Sequence, residues 1–279
     1  MYKEPLVTVA VLSHNLEGYI GHSLKTVNKQ TYKNMDIVIL DDASSDDTMS
    51  EINHWAARDD RMRVIKNNKR KGVAAVRNQA LNQIRGKYFI FVDGDDQLAP
   101  SFVETLVGAL EGNPDVSIAS VGFSWGASGA PKKAHEVKFR KIDRAGMFEG
   151  VTHRGHVISG MVWNKIYRSA DLLDSKVRFD ETLELAEDHL WIAQVVASKA
   201  MSEYSLFATD VLYNKRCLVQ RVSFTLHHML CVNVSVKSIN KLPASVMTSF
   251  NEKTLATFHW SAFLLCFSLK NGGKKHAIL

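Results

Sequence analysis

Cysteine is scarce in this chain of 279 residues: Cys217, Cys231 and Cys266 are all there is, and no two form a CxxC pair. An odd, sparse set excludes a disulfide framework and points to a reducing compartment. The opening MYKEPLVTVAVLSHN has one lysine and a short apolar run broken by His14 and Asn15. It lacks the charged start, longer apolar stretch and small-residue cleavage site of a signal peptide, so a cytoplasmic protein is expected. The other apolar run, FHWSAFLLCFSL (258–269), falls short of the roughly 20 residues that span a bilayer and reads as a buried helix or strand. Lys270, Lys274 and Lys275 flank it, leaving peripheral contact with the inner face of an anionic membrane as an open alternative. There is no GxxxxGK[ST], which excludes a P-loop nucleotide hydrolase. Low-complexity tracts and repeats of solenoid period are missing too.

Apolar material is ample. The chain is 46% hydrophobic, enough for one large domain or a domain plus an appendage. Charged residues make up 23%, so disorder is not the expectation. A formal net charge of +6 suits an anionic partner such as a nucleotide, an acidic glycan or a lipid surface. Basic runs are not interleaved with aromatics, and no nucleic acid partner is expected.

Two periods alternate along the first half. LVTVAVL (6–12), MDIVILDD (35–42), RVIKN (63–67), KYFIFVD (87–93) and VSIASVGF (116–123) read as strands, the first as one buried on both faces. Helical patterns fall between them, at about 17–28, after SSDDT (44–48), at 72–84 and from Pro100. Such alternation over roughly 120 residues predicts an α/β fold, an open, mostly parallel sheet flanked by helices. Ligands bind at the carboxyl ends of the strands in such sheets. Ser13 and Asn15 follow the first strand, Asp41 and Asp42 end the second, and Asp93, Asp95 and Asp96 end the fourth.

FVDGDD (91–96) crowds three carboxylates into four residues. Like charges that close repel, and two readings account for them: acids suit turns and helix starts, or a divalent cation turns the repulsion into attraction. Residues 122–146 read as a loop or hairpin excursion. Beyond them, VWNKIY (162–167) is strand-like and LAEDHLWIAQVVASKA (185–200) helical.

VLSHN, LDDASSDDT, GVAAVRNQAL, FVDGDD, WNKIY and AEDHLW, in that order, resemble family 2 glycosyltransferases of the GT-A (Rossmann-like) fold over roughly residues 5–215. The resemblance implies a domain at 1–215, with a nucleotide-binding half at 1–122 and an acceptor-binding half at 123–215. A smaller, mostly helical C-terminal appendage would follow at 216–279. It implies a UDP-sugar donor, a glycan or lipid-linked saccharide acceptor, and Mn²⁺ or Mg²⁺. Asp42 would bond the uracil, with Ser13 and Asn15 lining the base and ribose pocket. Asp93 would hold the ribose side, and Asp95 the metal that bridges the diphosphate; hard carboxylate oxygens suit such cations. Gly94 would let the backbone approach the phosphates. Asp96 would bind metal through water or cap the next helix. Arg77 would reach the diphosphate with its forked donors.

Glu187 and Asp188 match the family's acidic pair, whose aspartate is the general base of an inverting displacement. Trp163 and Asn164 would shape the acceptor side, with a core position for Trp163 as the alternative. One departure stands out: YNKRCLVQRVSFTLHH (213–228) lacks the R-x-x-G-S of many relatives, and Arg216, Arg221, His227 and His228 are possible substitutes. The implied function is sugar transfer in bacterial surface polysaccharide synthesis. The alternatives are a catalytically idle domain that binds a sugar nucleotide or a partner enzyme and, further off, a sugar-phosphate nucleotidyltransferase, which would open with a glycine-rich loop that VLSHNLEGY lacks.

Overall fold

The computed structural model describes residues 4–126, 131, 136–152, 158–183 and 186–216. All of these belong to the first of two compact units, Met1–Gln220 and Arg221–Leu279. The appendage expected at 216–279, with its apolar run, basic tail and three cysteines, lies outside the described residues beyond Arg216, as do Arg221, His227 and His228.

Strands and helices alternate as their sequence periods require: β1 (Val7–Ser13), α1 (Ile20–Asn28), β2 (Met35–Asp41), α2 (Thr48–Ala56), β3 (Met62–Lys66), α3 (Val73–Leu81) and β4 (Tyr88–Asp93). There follow β5 (Gln97–Leu98), α4 (Phe102–Glu111), β6 (Ile118–Trp125), β7 (Arg140–Asp143), α5 (Arg144–Thr152), β8 (Lys165–Arg168), α6 (Ser169–Asp174), α7 (Glu187–Ala197) and β9 (Tyr204–Lys215). The strands form one mixed sheet in the order β3-β2-β1-β4-β8-β6-β9-β5, with β7 on β9. Its first four strands are parallel, and β8 joins β4 and β6 antiparallel.

All seven residues of β1 are buried, because helices cover both faces of the sheet. On one face Val7, Val9, Val11, Ile37, Ile90 and Val92 pack with Ile20, Leu24 and Val27 of α1 and Phe102, Leu106 and Leu110 of α4. On the other, Phe91 meets Phe179 and Trp191 edge-on, each at 5.7 Å between ring centroids, and those two rings stack at 4.5 Å. Each Val, Ile, Leu or Phe fully buried in this way adds about 1.5–3 kcal/mol. No helix among the described residues is long and apolar enough to cross a membrane.

Two elements differ from the sequence reading. The excursion after β6 returns as β7, which pairs antiparallel with β9. The strand β9 itself, twelve residues long, was not foreseen, and its far end reaches back to β5 and to the acids that follow β4.

Candidate active site

β1, β2 and β4 are parallel and end level, so Ser13 lies beside Asp41, and Leu12 beside Asp93. Ser13 Oγ donates to Asp41 Oδ1 at 3.1 Å, and the side-chain oxygen of Asn15 accepts the Ser45 N–H at 2.9 Å. Both residues thus knit the first two loops together. Asn15 sits at φ 50°, the left-handed region that asparagine tolerates. Asp42 is buried, and its carboxylate accepts the N–H groups of Lys71 and Gly72, each at 2.9 Å, and the side-chain amide of Asn67 at 3.1 Å. It fixes the loop 67–72, and a ligand N–H aimed at Asp42 has to replace one of these donors.

One carboxylate oxygen each of Asp93, Asp95 and Asp96 fall within 4.8 Å of one another. Three hard oxygen ligands so close are a donor set that fits a divalent cation. Into the same space β9 sends Lys215, whose Nζ donates to Asp93 Oδ2 at 2.7 Å and Asp96 Oδ2 at 3.0 Å and lies 3.7 Å from Asp95 Oδ1. Burial pulls the Lys215 ammonium down, but the three carboxylates outweigh it and hold it well above the usual lysine range. Burial raises Asp93, while Lys215 and Arg77 overcome it and hold the carboxyl below its usual range. Asp96 goes the other way: full burial and the neighbouring Asp95 and Asp93 push it up to about 7, against Lys215.

Asp96 also accepts from Tyr213 Oη at 2.6 Å and from the Arg216 N–H at 2.9 Å. It does not cap the next helix, since α4 starts at Phe102 after Ser101. It anchors the end of β9 instead. Gly94 is needed for packing: a Cβ there would lie 2.5 Å from the Leu12 carbonyl oxygen and 2.8 Å from Ile20 Cδ1.

Arg77 joins this cluster to the start of α7. Its guanidinium is buried, 2.5 Å from Glu187 Oε1 and 3.4 Å from Asp93 Oδ1, and lies over the Phe179 ring at 5.6 Å. Burial, with Asp188 next along the chain, pushes the Glu187 carboxyl up to about 7 against the pull of Arg77. Asp188 is raised by burial too, but His189 and Arg77 outweigh it and leave the carboxyl ionised well below its usual range. His189 Nδ1 lies 3.0 Å from Asp188 Oδ1, and the same oxygen accepts the His189 N–H at 2.8 Å. α7 enters through Ala186 at φ 58°, a left-handed residue that is not glycine; such strain concentrates at functional sites. Two acidic centres, one at the strand ends and one at a helix start, thus share a single arginine.

The profile of Glycosyl transferase family 2 matches residues 8–167, more than half of the chain. The chain belongs to that family. Similar curated proteins include the putative glycosyltransferase EpsH of Bacillus subtilis, 27% identical over 201 residues, which cover 67% of this chain and 54% of that protein. A second is WfaP of Escherichia coli, a UDP-Glc:alpha-D-GlcNAc-diphosphoundecaprenol beta-1,3-glucosyltransferase. It is 37% identical over 106 residues, covering 38% of this chain and 41% of that one. The chain therefore spans about half the length, or less, of these two relatives. Among solved structures, TarS 1-349 of S. aureus in complex with UDP aligns with a TM-score of 0.67 at 22% identity, over 95% of this chain and 73% of that one. The mannosyltransferase PcManGT of Pyrobaculum calidifontis, in complex with GDP-Man and Mn²⁺, aligns with a TM-score of 0.64 at 17% identity, over 99% of this chain and 77% of that one. Both likenesses show the GT-A fold.

Within this family 2 domain, Ser13, Asn15, Asp42, Arg77, Asp93, Asp95, Glu187 and Asp188 gather around one edge of the sheet. Trp163 and Asn164, expected on the acceptor side, lie beneath them, with the Trp163 ring 5.7 Å from Lys215 Nζ. Both are in the core, 1% and 0% exposed. Trp163 stacks on Tyr213 at 4.5 Å, and Asn164 donates to the Val121 carbonyl at 2.7 Å. Asn164 Oδ1 also accepts from Lys165 Nζ, which is buried and donates to the carbonyls of Ile158, Ser159 and Met161 as well, all four at 2.7–2.8 Å. Burial pushes Lys165 down to about 7, with Asp188 pulling back, yet four oxygens around one nitrogen suit the three donors of an ammonium. Sequence reasoning missed Lys215, Tyr213 and His189. The one available signal was the lysine in YNKR, inside the segment that departs from the family pattern.

Proposed function

We propose that the chain is a metal-dependent, inverting glycosyltransferase that moves a sugar from a UDP-sugar to a hydroxyl of a glycan or lipid-linked saccharide, in the synthesis of a surface polysaccharide. The observation that carries this is the pair of acidic centres joined by Arg77. One is a carboxylate triad suited to a cation at the sheet edge. The other, at the start of α7, is the buried pair Glu187 and Asp188, of which Glu187 bonds Arg77. The reading is supported by relatives: UDP and UDP-GlcNAc are bound in TarS structures, GDP-Man and Mn²⁺ in PcManGT, and WfaP is named for a UDP-Glc donor and a diphosphoundecaprenol acceptor.

In this reading Ser13, Asn15 and Asp42 receive the nucleoside, with Asp42 exchanging the Asn67 amide or a loop N–H for the uracil imide. Asp93, Asp95 and, from its buried position, Asp96 would hold Mn²⁺ or Mg²⁺, which supplies positive charge for the leaving diphosphate. Arg77 adds a fixed positive charge on the same side and holds Glu187. Asp188 takes the proton of the attacking hydroxyl, a role that needs its ionised form; the His189 pairing that keeps it ionised and orients its carboxylate also lowers its strength as a base. Attack from the face opposite the leaving group inverts the anomeric carbon.

The test is a melting-temperature series on the full chain. UDP with Mn²⁺ is expected to stabilise it more than UDP with a chelator, by RT ln(1 + [L]/Kd), or about 2.7 kcal/mol at 100 times Kd. Asp95→Asn should lose the metal-dependent part and keep the fold. Equal stabilisation with and without Mn²⁺ rules the metal reading out. A screen of nucleotide sugars for turnover onto saccharide acceptors then separates an active enzyme from an idle binding domain.

A further inference from the structure

We propose that Lys215 is a built-in counter-ion of the acidic triad, and that a divalent cation enters only by displacing its ammonium. The inference rests on the metal reading above and specifies how the site is loaded. Lys215 Nζ is within 4 Å of a carboxylate oxygen from each of Asp93, Asp95 and Asp96, at 2.7, 3.7 and 3.0 Å. One oxygen of each carboxylate lies within 4.8 Å of the others, and Lys215 Nζ already sits against all three groups, so an ion held by them would stand next to a positive charge. A metal ion draws carboxylate oxygens in to about 2.0–2.6 Å, which an ammonium in that place opposes.

The attachment of the lysine allows such an exchange. Its backbone is pinned by β9, and the next residue ties down further: the Arg216 N–H donates to Asp96 Oδ1 at 2.9 Å, and its guanidinium lies over the Tyr19 ring at 5.1 Å. The ammonium itself sits on a four-carbon stem and can swing without moving the strand. Around it, Tyr213 Oη holds Asp96 at 2.6 Å, Arg77 holds Asp93 at 3.4 Å, and the face of Trp163 lies 5.7 Å from Nζ. The triad is therefore already partly charge-compensated in the free protein, unlike a bare cluster of acids.

Displacement costs the ammonium its carboxylate partners. An anionic ligand arriving with the metal restores a partner, because the freed ammonium remains at the mouth of the same site. A nucleoside diphosphate is such a ligand. Metal and nucleotide should then bind with strong mutual enhancement, each raising the affinity of the other by the same factor.

Titration of the full chain with Mn²⁺, following the free ion by electron paramagnetic resonance, tests this with and without UDP. Without UDP, Lys215→Met is expected to bind Mn²⁺ at least about tenfold more tightly than the wild type, whereas Lys215→Arg, which keeps the charge, stays weak. UDP should tighten Mn²⁺ binding to the wild type at least about tenfold, and to Lys215→Met by clearly less. Equal Mn²⁺ affinities of the wild type and Lys215→Met overturn the proposal. Should Lys215→Met fail to fold by circular dichroism, Lys215→Gln takes its place: Mn²⁺ bound no more tightly by it than by the wild type, without UDP, overturns the proposal, while tighter Mn²⁺ binding with UDP than without it leaves the metal reading standing. Absence of Mn²⁺ binding in every protein, even with UDP, removes the metal reading and the proposal together.

Discussion

Replacing Arg77 by methionine takes the shared cation away from two carboxylates. The guanidinium side chain is 5% exposed, and its partner Glu187 9% exposed, so solvent does little to screen the loss. Breaking a buried pair by removing one partner costs about 3–5 kcal/mol, because the other charge is left behind. Asp93 retains Lys215 at 2.7 Å and is partly protected; Glu187 keeps Asp188, of its own sign, as its stronger neighbour and only the weaker pull of His189 in its favour. The cost therefore falls on Glu187, and that carboxyl has an escape, since burial already pushes it up to about 7 and it can take a proton. Without Arg77 its folded pKa rises further above the ordinary value of about 4.3.

The sign follows. Between those two values the folded state binds more protons than the unfolded one, so Arg77→Met loses stability as pH rises, by up to about 1.4 kcal/mol per unit. The full 3–5 kcal/mol is expected near pH 8.5, equivalent to a fall of roughly 6–20 °C in Tm for a domain of this size, with partial recovery near pH 6. Urea unfolding followed by tryptophan fluorescence at the two pH values measures it. A loss below about 1 kcal/mol at the higher pH, or a loss independent of pH, refutes the reasoning.

Asp188→Asn should lower kcat by about 10²–10⁴-fold with little change in donor KM; near wild-type turnover, or a product of retained configuration, counts against the base assignment. His189 should titrate above its ordinary value in the wild type, because Asp188 outweighs its burial, and fall back towards it in Asp188→Asn by proton NMR. Its contribution to stability is then complete below about pH 6.5 and disappears as pH rises through the raised value; an unshifted curve in the wild type is the contrary result. Lys165→Met removes the ammonium donor that the Ser159 and Met161 carbonyls and the Asn164 amide oxygen share, at about 1–3 kcal/mol for each group that water does not reach. Faster amide exchange in 158–166 should accompany the loss, and unchanged exchange would show that the ammonium organises nothing there.

The parallel half of the fold was legible because its strands are continuous apolar runs that end in acids. LVTVAVL and YFIFVD admit no helical reading once turn residues bound them, and the strand-end rule then places Ser13, Asp42 and Asp93 together. The β9 strand was not legible. YSLFATDVLYNK alternates unevenly, with Tyr204, Thr209 and Val211 exposed among buried neighbours, since it pairs with three different strands along its length. Lys215 was hidden with it: its contact with Asp93 spans 122 residues and exists only once β9 crosses the sheet. The fate of Trp163 was undecidable from VWNKIY, because its partner Tyr213 stands on that same unforeseen strand. Asp96 shows the converse. Its acidic neighbours suggested a ligand or a cap; the cap is absent, and burial with three donors adds a part no local pattern shows, the anchoring of β9.

The level endings of β1, β2 and β4 bear on how such a domain can change over time. The depth of the acids is set by strand length, counted from a common start where Val7, Met35 and Tyr88 lie side by side. Inserting or deleting one residue within any of these strands would turn the terminal aspartate to the other face of the sheet. A change of length in the loops beyond the acids would leave that depth untouched. Insertions and deletions that alter sugar or acceptor choice should therefore gather after Ser13, Asp42 and Asp96, while the three strands drift by substitution alone.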